Sequence, residues 1–152
     1  MGYLAGIDIG TSGTKTLIIT DAGEVVSSAT VEYPLHTPRP GWAEQDPQDW
    51  WKGSSESLLL ALRKANLRGT EIQGIGLSGQ MHGSVFLDAN GEVIRPALLW
   101  CDQRTGPQCD WIHETAGEDL VVAETCNRVL TGFTAPKIIW LRDEEPENYQ
   151  RV

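Results

Sequence analysis

The segment from Gly6 to Lys15 constrains the fold of this chain more than any other part of it. It reads Gly-Ile-Asp-Ile-Gly-Thr-Ser-Gly-Thr-Lys and spans the end of one short apolar run, Tyr3–Ile9, and the start of another, Thr14–Thr20. β-Branched residues in both runs, and glycine at both ends of the connector, predict two strands joined by a tight hairpin. A P-loop would lead into a helix, and the GxGxxG dinucleotide fingerprint is absent from this segment.

The chemistry of this hairpin suits an anionic ligand. Glycine lets the main chain approach an anion and present its amide groups, while the two hydroxyls and the lysine add donors and positive charge. A carboxylate at the strand end could hold a magnesium ion through water, so the set suits the terminal phosphates of MgATP. The alternative is an ordinary hairpin with a glycine turn. The predicted phosphate-binding residues are Asp8, Gly10, Thr11, Ser12, Gly13 and Lys15, with Asp8 also as the metal ligand.

Further strands and helices follow the hairpin. Glu24–Tyr33 predicts a third strand, which completes a three-stranded antiparallel meander. Asp46 can cap a helix that Pro47 begins, with Trp51 on its apolar stripe and its end near residues 66–69. The whole predicts one mixed α/β unit. The other predicted elements are a buried strand at 72–77, a hairpin around 88–91, and helices at 105–116, 119–126 and 134–141.

Charge and composition limit the classes of partner. The 152 residues carry a formal net charge of -9, and a negative chain repels phosphate backbones, which argues against general nucleic-acid binding. Every apolar run is shorter than the ~20 residues that a membrane span needs, and no basic region precedes the first run, so we expect a cytoplasmic protein without a membrane partner. Cys101, Cys109 and Cys126 are odd in number and lack a CxxC pair, which predicts reduced thiols.

Four later segments are similar to known motifs in a fixed order. The opening hairpin resembles the first phosphate-binding hairpin of the actin, Hsp70 and sugar kinase superfamily. The segments Gly41–Trp51 and Arg95–Arg104 resemble the Trp-x-Glu-Gln-(Asp/Asn)-Pro-x-x-Trp-Trp and Trp-x-Asp-x-Arg stretches of FGGY carbohydrate kinases. Ile75–Gly83 resembles the sugar-facing segment of the xylulose-phosphorylating members, and Thr131–Lys137 resembles the segment that opens a helix beside the substrate.

This resemblance implies a ribonuclease-H-like α/β fold: a mixed sheet with the antiparallel meander, covered by helices and incomplete within this chain. It implies that residues 1–152 are a truncated N-terminal kinase domain, whose C-terminal domain, adenosine pocket and general base lie beyond position 152. The implied activity is transfer of a phosphoryl group from ATP, with Mg2+, to D-xylulose. The fragment alone is then expected to be inactive. An exposed sheet edge and cleft face predict self-association into a homo-oligomer.

The resemblance also implies which residues contact the sugar. Gln80, Met81 and His82 follow the predicted strand at 72–77, where a mixed sheet commonly places ligand groups. The alternative for His82 is a structural histidine satisfied by backbone groups. Asp102 could accept bonds from sugar hydroxyls while Arg104 orients it, and the alternative for this pair is a surface ion pair of little energetic value.

Two other functions stay open on the residues alone. One is a kinase of the same family that acts on glycerol, ribulose, gluconate or another polyol. The other is a non-catalytic sugar-binding or interaction module. The Gln-Met-His-Gly stretch at 80–83 favours xylulose over the other acceptors.

Overall fold

The computed structural model describes residues 2–152 and divides the chain into two compact units. The first comprises Met1–Leu35 and Gln48–Gln80, and the second comprises His36–Pro47 and Met81–Val152. The sequence predicts one mixed unit, and in the structure residues of 36–47 pair with residues of 81–152 in a small sheet of their own.

The first unit is built on a four-stranded sheet. Its strands span Tyr3–Ile9 (β1), Gly13–Thr20 (β2), Val25–Glu32 (β3) and Ile72–Gly79 (β5), in the spatial order β3-β2-β1-β5. β1 pairs antiparallel with β2, and β2 pairs antiparallel with β3, so the predicted meander is confirmed. β5 runs parallel to β1, which makes the sheet mixed as predicted.

A long helix, α1 (Pro47–Ala65), covers one face of this sheet, and all of it but its first residue belongs to the first unit. The buried core between them consists of small and branched side chains: Ala5, Ile18, Ala29, Ala61 and Leu62. Small residues let the helix come close, and the hydroxyls of Thr16 and Ser57 lie 2.7 Å apart within this layer.

Two predictions about burial are wrong. Trp51 lies on the solvent side of α1 and is 74% exposed, so it is not part of the apolar stripe. β5 is not a buried strand, because Ile75 and Leu77 are 56% and 74% exposed. β5 is the outermost strand on its side of the sheet, and within residues 2–152 no further strand pairs with it.

The second unit combines a two-stranded antiparallel sheet with four helices. The strands are β4 (Glu44–Gln45) and β6 (Ala97–Leu98). Its core groups Phe86, Leu98, Trp140 and Leu141. The predicted hairpin around residues 88–91 is present as a turn closed by the Leu87–Val93 bridge. The helices span Gly106–Ala116 (α2), Glu118–Thr125 (α3), Thr134–Glu144 (α4) and Pro146–Tyr149 (α5). Within residues 2–152, no helix combines the length and apolar character required to span a bilayer.

Candidate functional site

A row of three polar side chains crosses the open face of the first unit's sheet. Asp8 on β1 lies directly opposite Lys15 on β2 and Ser78 on β5, and directly paired residues project from the same face. We call this set the Lys15–Asp8–Ser78 row. It borders a groove of about 420 Å³, whose floor includes Gly6 and Gly76. Sequence analysis missed Ser78; its signal was a hydroxyl residue at the end of an apolar strand parallel to the one that carries Asp8.

The main-chain carbonyl at the hairpin tip is held from two sides. The hydroxyl of Tyr33 donates to the carbonyl oxygen of Gly10 at 2.7 Å, and the side-chain Nε2 of Gln80 donates to the same oxygen at 3.0 Å. Both lone pairs of this carbonyl are therefore engaged within the protein. Burial raises the pKa of the Tyr33 hydroxyl, which remains a donor at neutral pH.

Close packing, rather than backbone conformation, accounts for glycine at the second end of the hairpin. A Cβ on Gly13 would lie 2.6 Å from the carbonyl oxygen of Val31 and 3.0 Å from Cα of Glu32. The glycines with positive φ lie elsewhere, at positions 23, 41, 91 and 117. Gly13 therefore lets β3 approach the start of β2 closely, which fixes the hairpin against the sheet.

The side chain of Gln80 forms hydrogen bonds with the hairpin. Besides its bond to Gly10, its Oε1 accepts a bond from the Thr11 hydroxyl at 3.4 Å. Ser12 is exposed at the tip, and Lys15 and Asp8 are exposed on the sheet. The structure thus brings together all six residues predicted for phosphate and metal binding, and it adds Gln80 to them as a group that contacts the hairpin.

His82, in the second unit, has an unusual backbone. Its φ is +60°, a left-handed conformation that is uncommon for residues with a side chain. Its ring packs on Phe133, with centroids 4.8 Å apart and planes tilted by 59°. Met81 is 73% exposed beside it. The predicted sugar-facing pair therefore combines a conformationally fixed imidazole with an accessible apolar side chain.

Lys137, for which the sequence gives no role, contacts the main chain of His82. It is fully buried on α4, and its Nζ donates to the carbonyl oxygens of His82 at 2.8 Å and Gly132 at 2.6 Å. Burial lowers the pKa of its ammonium to about 8, although the nearby Asp102 carboxylate opposes this shift. No sequence pattern marks this contact, because Lys137 and His82 are 55 positions apart.

Asp102 and Arg104 form a buried pair, so the alternative of a surface ion pair is wrong. Asp102 is 0% exposed, and its Oδ2 accepts bonds from the Ala43 amide and from Nη2 of Arg104, both at 2.7 Å. Its Oδ1 accepts from the amide of Arg104 at 2.9 Å. The guanidinium of Arg104 lies between two indoles, 3.6 Å from the ring centroid of Trp42 and 4.8 Å from that of Trp140. Both carboxylate oxygens of Asp102 are thus engaged internally.

Glu44 connects this pair to a second arginine. Its Oε1 lies 2.8 Å from Nη1 of Arg104 and 2.7 Å from Nη2 of Arg95. Arg95 also pairs with Glu145 at 3.0 Å. Buried charges are tolerated when they are paired in this way, so the cluster ties β4, the residues before and after β6, and the end of α4 into one body.

Trp100 and Gly132 approach each other through their backbones. A Cβ on Gly132 would lie 2.7 Å from the carbonyl oxygen of Trp100, so only glycine fits without displacement. The Trp100 side chain is 51% exposed. Sequence analysis assigned it no role.

The donor set in the first unit suits a metal that is bound largely by water and phosphate. Among residues 2–152 no group of three or more His, Cys, Asp or Glu side chains could hold a metal ion. Asp8 is an exposed hard oxygen donor in the Lys15–Asp8–Ser78 row. Mg2+ is commonly held by one or two carboxylates together with waters and phosphates, so these residues fit it.

A mixed sheet with an antiparallel meander, a parallel fourth strand and a glycine-bounded hairpin defines the ribonuclease-H-like class of actin, Hsp70 and sugar kinases. A crystal structure of a xyloylose kinase from Brucella ovis superposes with a TM-score of 0.92 at 38% identity, over 99% of this chain and 31% of that one. The family model for the N-terminal domain of FGGY carbohydrate kinases matches residues 3–152. The chain belongs to the FGGY family of carbohydrate kinases.

Curated relatives are similar over the whole of this chain. The xylulose kinase of Bacillus subtilis (strain 168) is 42% identical over 100% of the chain, and that of Staphylococcus xylosus is 43% identical over 100%. The chain spans 30% and 31% of the lengths of these two relatives.

Proposed function

We propose that this chain supplies the phosphate-binding hairpin and part of the sugar site of an ATP-dependent kinase that phosphorylates D-xylulose to D-xylulose 5-phosphate. The observation that carries the proposal is the hairpin beside the Lys15–Asp8–Ser78 row. Tyr33 and Gln80 both donate to the Gly10 carbonyl oxygen, so this negative end of the main chain is satisfied within the protein and does not oppose a bound phosphate. Family membership and the similarity to xylulose kinases support the same reaction. ATP is a cytoplasmic substrate, so we place this function in the cytoplasm.

The first unit handles the phosphates in this proposal. Phosphoryl transfer depends mainly on positioning and on neutralising charge, and the hairpin offers hydroxyls at Thr11 and Ser12 and an ammonium at Lys15. Gly10 would let the main chain approach an anion closely, while Gly13 lets the hairpin pack against β3. Asp8 would hold Mg2+, which when bound neutralises the phosphate charge and orients the terminal group.

The second unit handles the acceptor sugar. His82 would exchange hydrogen bonds with sugar hydroxyls, and the exposed Met81 would pack against the carbon edge of the sugar. Asp102 and Arg104 would contribute by shaping the turn that carries Trp100, because their own polar atoms are engaged with each other. We assign the base that accepts the hydroxyl proton to a carboxylate outside residues 2–152, in the remainder of a kinase of the relatives' length.

The test is an ADP-release assay on the full-length polypeptide that contains this domain. We expect D-xylulose to be the preferred acceptor in a panel with glycerol, ribulose and gluconate. Asp8→Asn should lower kcat about 100-fold, because it removes the carboxylate that we propose holds Mg2+ beside the phosphates. The matched control is Asp21→Asn, which changes a carboxylate just beyond the opposite end of β2 and should leave kcat near wild type.

Two results would contradict this assignment. A wild-type protein that releases ADP with none of the four acceptors would remove the kinase function. Equal losses in Asp8→Asn and Asp21→Asn would remove the specific role of Asp8. Calorimetry gives an independent check, since saturable D-xylulose binding without any transfer would favour a sugar-binding module.

A further inference from the structure

A fully buried lysine in the second unit has no carboxylate partner. Within residues 2–152 the ammonium of Lys137 donates only to main-chain carbonyls, those of His82 and Gly132. Asp102 is near enough to affect its charge, but both oxygens of Asp102 are engaged with Arg104 and Ala43. A buried ammonium is unfavourable unless its hydrogen bonds are made, so these two contacts are the ones that compensate its burial.

One of these carbonyls belongs to a residue in a strained conformation. His82 has a φ of +60°, and a residue with a side chain adopts that region at a cost when nothing holds it there. The carbonyl oxygen of His82 accepts a hydrogen bond from Nζ of Lys137 at 2.8 Å, and the His82 ring packs on Phe133. The main chain and the ring of His82 are therefore each fixed by a residue in or next to α4.

The second carbonyl connects the same lysine to the segment beside Trp100. Gly132 accepts from Nζ at 2.6 Å, and its backbone is so close to the Trp100 carbonyl that a Cβ would lie 2.7 Å away. Lys137 thus joins the His82 turn to the segment that leads into α4. An uncharged side chain of similar volume would fill the space but would leave both carbonyls without this donor.

We propose that Lys137 is a positioning residue for binding of the acceptor sugar. Lys137 holds His82 in its left-handed conformation and so fixes the direction of the imidazole. This inference rests on the proposed role of His82 in sugar binding. It assigns Lys137 no contact with the reacting atoms. Its effect should therefore appear in the affinity for the sugar rather than in the handling of ATP.

The experiment compares Lys137→Met and Leu141→Ala in the full-length protein. Leu141 is also fully buried on α4, but it belongs to the apolar core and its side chain has no hydrogen-bond donor for either carbonyl, so its truncation reports on general destabilisation. We expect Lys137→Met to raise KM for D-xylulose about tenfold or more, with KM for ATP unchanged, as the loss of charged hydrogen bonds to the His82 turn predicts. Leu141→Ala should lower the thermal midpoint and leave both KM values near wild type.

A crystal structure of Lys137→Met gives a readout that does not depend on activity. We expect the φ of His82 to move to a negative value, and in a His82→Ala background Lys137→Met should cause no further rise in KM. The proposal fails if His82 stays left-handed and KM for D-xylulose is unchanged, or if Leu141→Ala raises that KM equally. If wild type phosphorylates no sugar, the proposed function fails, and the φ of His82 still decides whether Lys137 holds this turn.

Lys137→Gln is the second variant if the methionine protein does not fold. Its amide keeps donors for the carbonyls, and we expect a KM for D-xylulose between those of wild type and Lys137→Met. Failure of both variants to fold would make Lys137 a general requirement for folding and would overturn the specific role proposed here.

Discussion

The hydroxyl of Tyr33 donates a hydrogen bond of 2.7 Å to the carbonyl oxygen of Gly10, at the tip of the glycine-bounded hairpin. Tyr33 comes directly after β3, so a residue at the end of the third strand holds the connection between the first two strands in place. Gly53 on α1 makes room for this ring, since a Cβ there would lie 3.0 Å from a Tyr33 ring carbon. The hairpin is thus supported by a side chain whose own position depends on the helix.

Tyr33→Phe should weaken ATP binding and also lower stability. The change removes two part-buried hydrogen bonds, one donated to Gly10 and one accepted from Thr14, each worth about 1 kcal/mol of stability, and it frees one lone pair of the Gly10 carbonyl near the phosphates. We expect KM for ATP to rise several-fold and KM for the sugar to stay constant. The control is Tyr3→Phe on β1 of the same sheet, where an unchanged KM for ATP is expected. A Tyr33→Phe protein with wild-type KM for ATP would show that the contact is dispensable.

Gly13→Ala and Gly6→Ala should have opposite effects on stability. A Cβ at Gly13 would meet the β3 backbone at 2.6 Å, so we expect destabilisation of about 1–3 kcal/mol from overpacking. A Cβ at Gly6 meets nothing within 4 Å, and the loss of unfolded-state freedom should make that variant neutral or more stable by about 0.5 kcal/mol. Urea denaturation measures both, and equal midpoints would contradict the packing argument.

Asp102→Asn should destabilise the protein strongly. The variant removes one of the two carboxylates, Asp102 and Glu44, that compensate the buried guanidinium of Arg104, and breaking one side of a buried pair costs about 3–5 kcal/mol. We expect a large fall in the midpoint of thermal unfolding, measured by circular dichroism. Asp143→Asn is a matched control, because its pair with Arg142 is on the surface and should contribute about 1 kcal/mol or less. A stable Asp102→Asn protein with a raised sugar KM would instead support direct contact with the substrate.

The stability of the protein should depend on pH through Lys137. Its pKa is lowered to about 8 in the folded state, from 10.5 for the ordinary group, so between these values the unfolded chain binds more protons than the folded one. Stability from this group therefore rises with pH across that window, by up to about 1.4 kcal/mol per pH unit. Lys137→Met should lack this rise, and the difference between the two urea titrations isolates it. Parallel curves for the two proteins would contradict the lowered pKa.

Local patterns in the sequence predicted most of the fold. β-Branched runs and bracketing glycines gave β1 and β2, and Asp46 with Pro47 marked the start of α1. Burial was predicted less well, because the exposure of Trp51 and Leu77 depends on what covers each face, which no local pattern reports.

The site was predictable only where its residues are adjacent in sequence. The hairpin residues could be read from one segment, and in the structure they lie on β1, β2 and the connection between them. The groups that hold the hairpin could not be found from the same segment, because Tyr33 and Gln80 are 23 and 70 positions away from Gly10 in the sequence. Lys137 was missed for the same reason. A buried lysine whose hydrogen bonds go to main-chain carbonyls has no sequence pattern, since every residue has such atoms.

The close approach of Gly132 to the Trp100 carbonyl fixes the order in which the proposed acceptor site can be redesigned. A larger residue at 132 would collide with the Trp100 backbone, so enlarging that position also displaces the segment that carries Trp100. Substitutions at Met81, whose side chain is largely in solvent, carry no such linkage. Altered acceptor preference is therefore best sought by varying position 81 first, with 132 left as glycine.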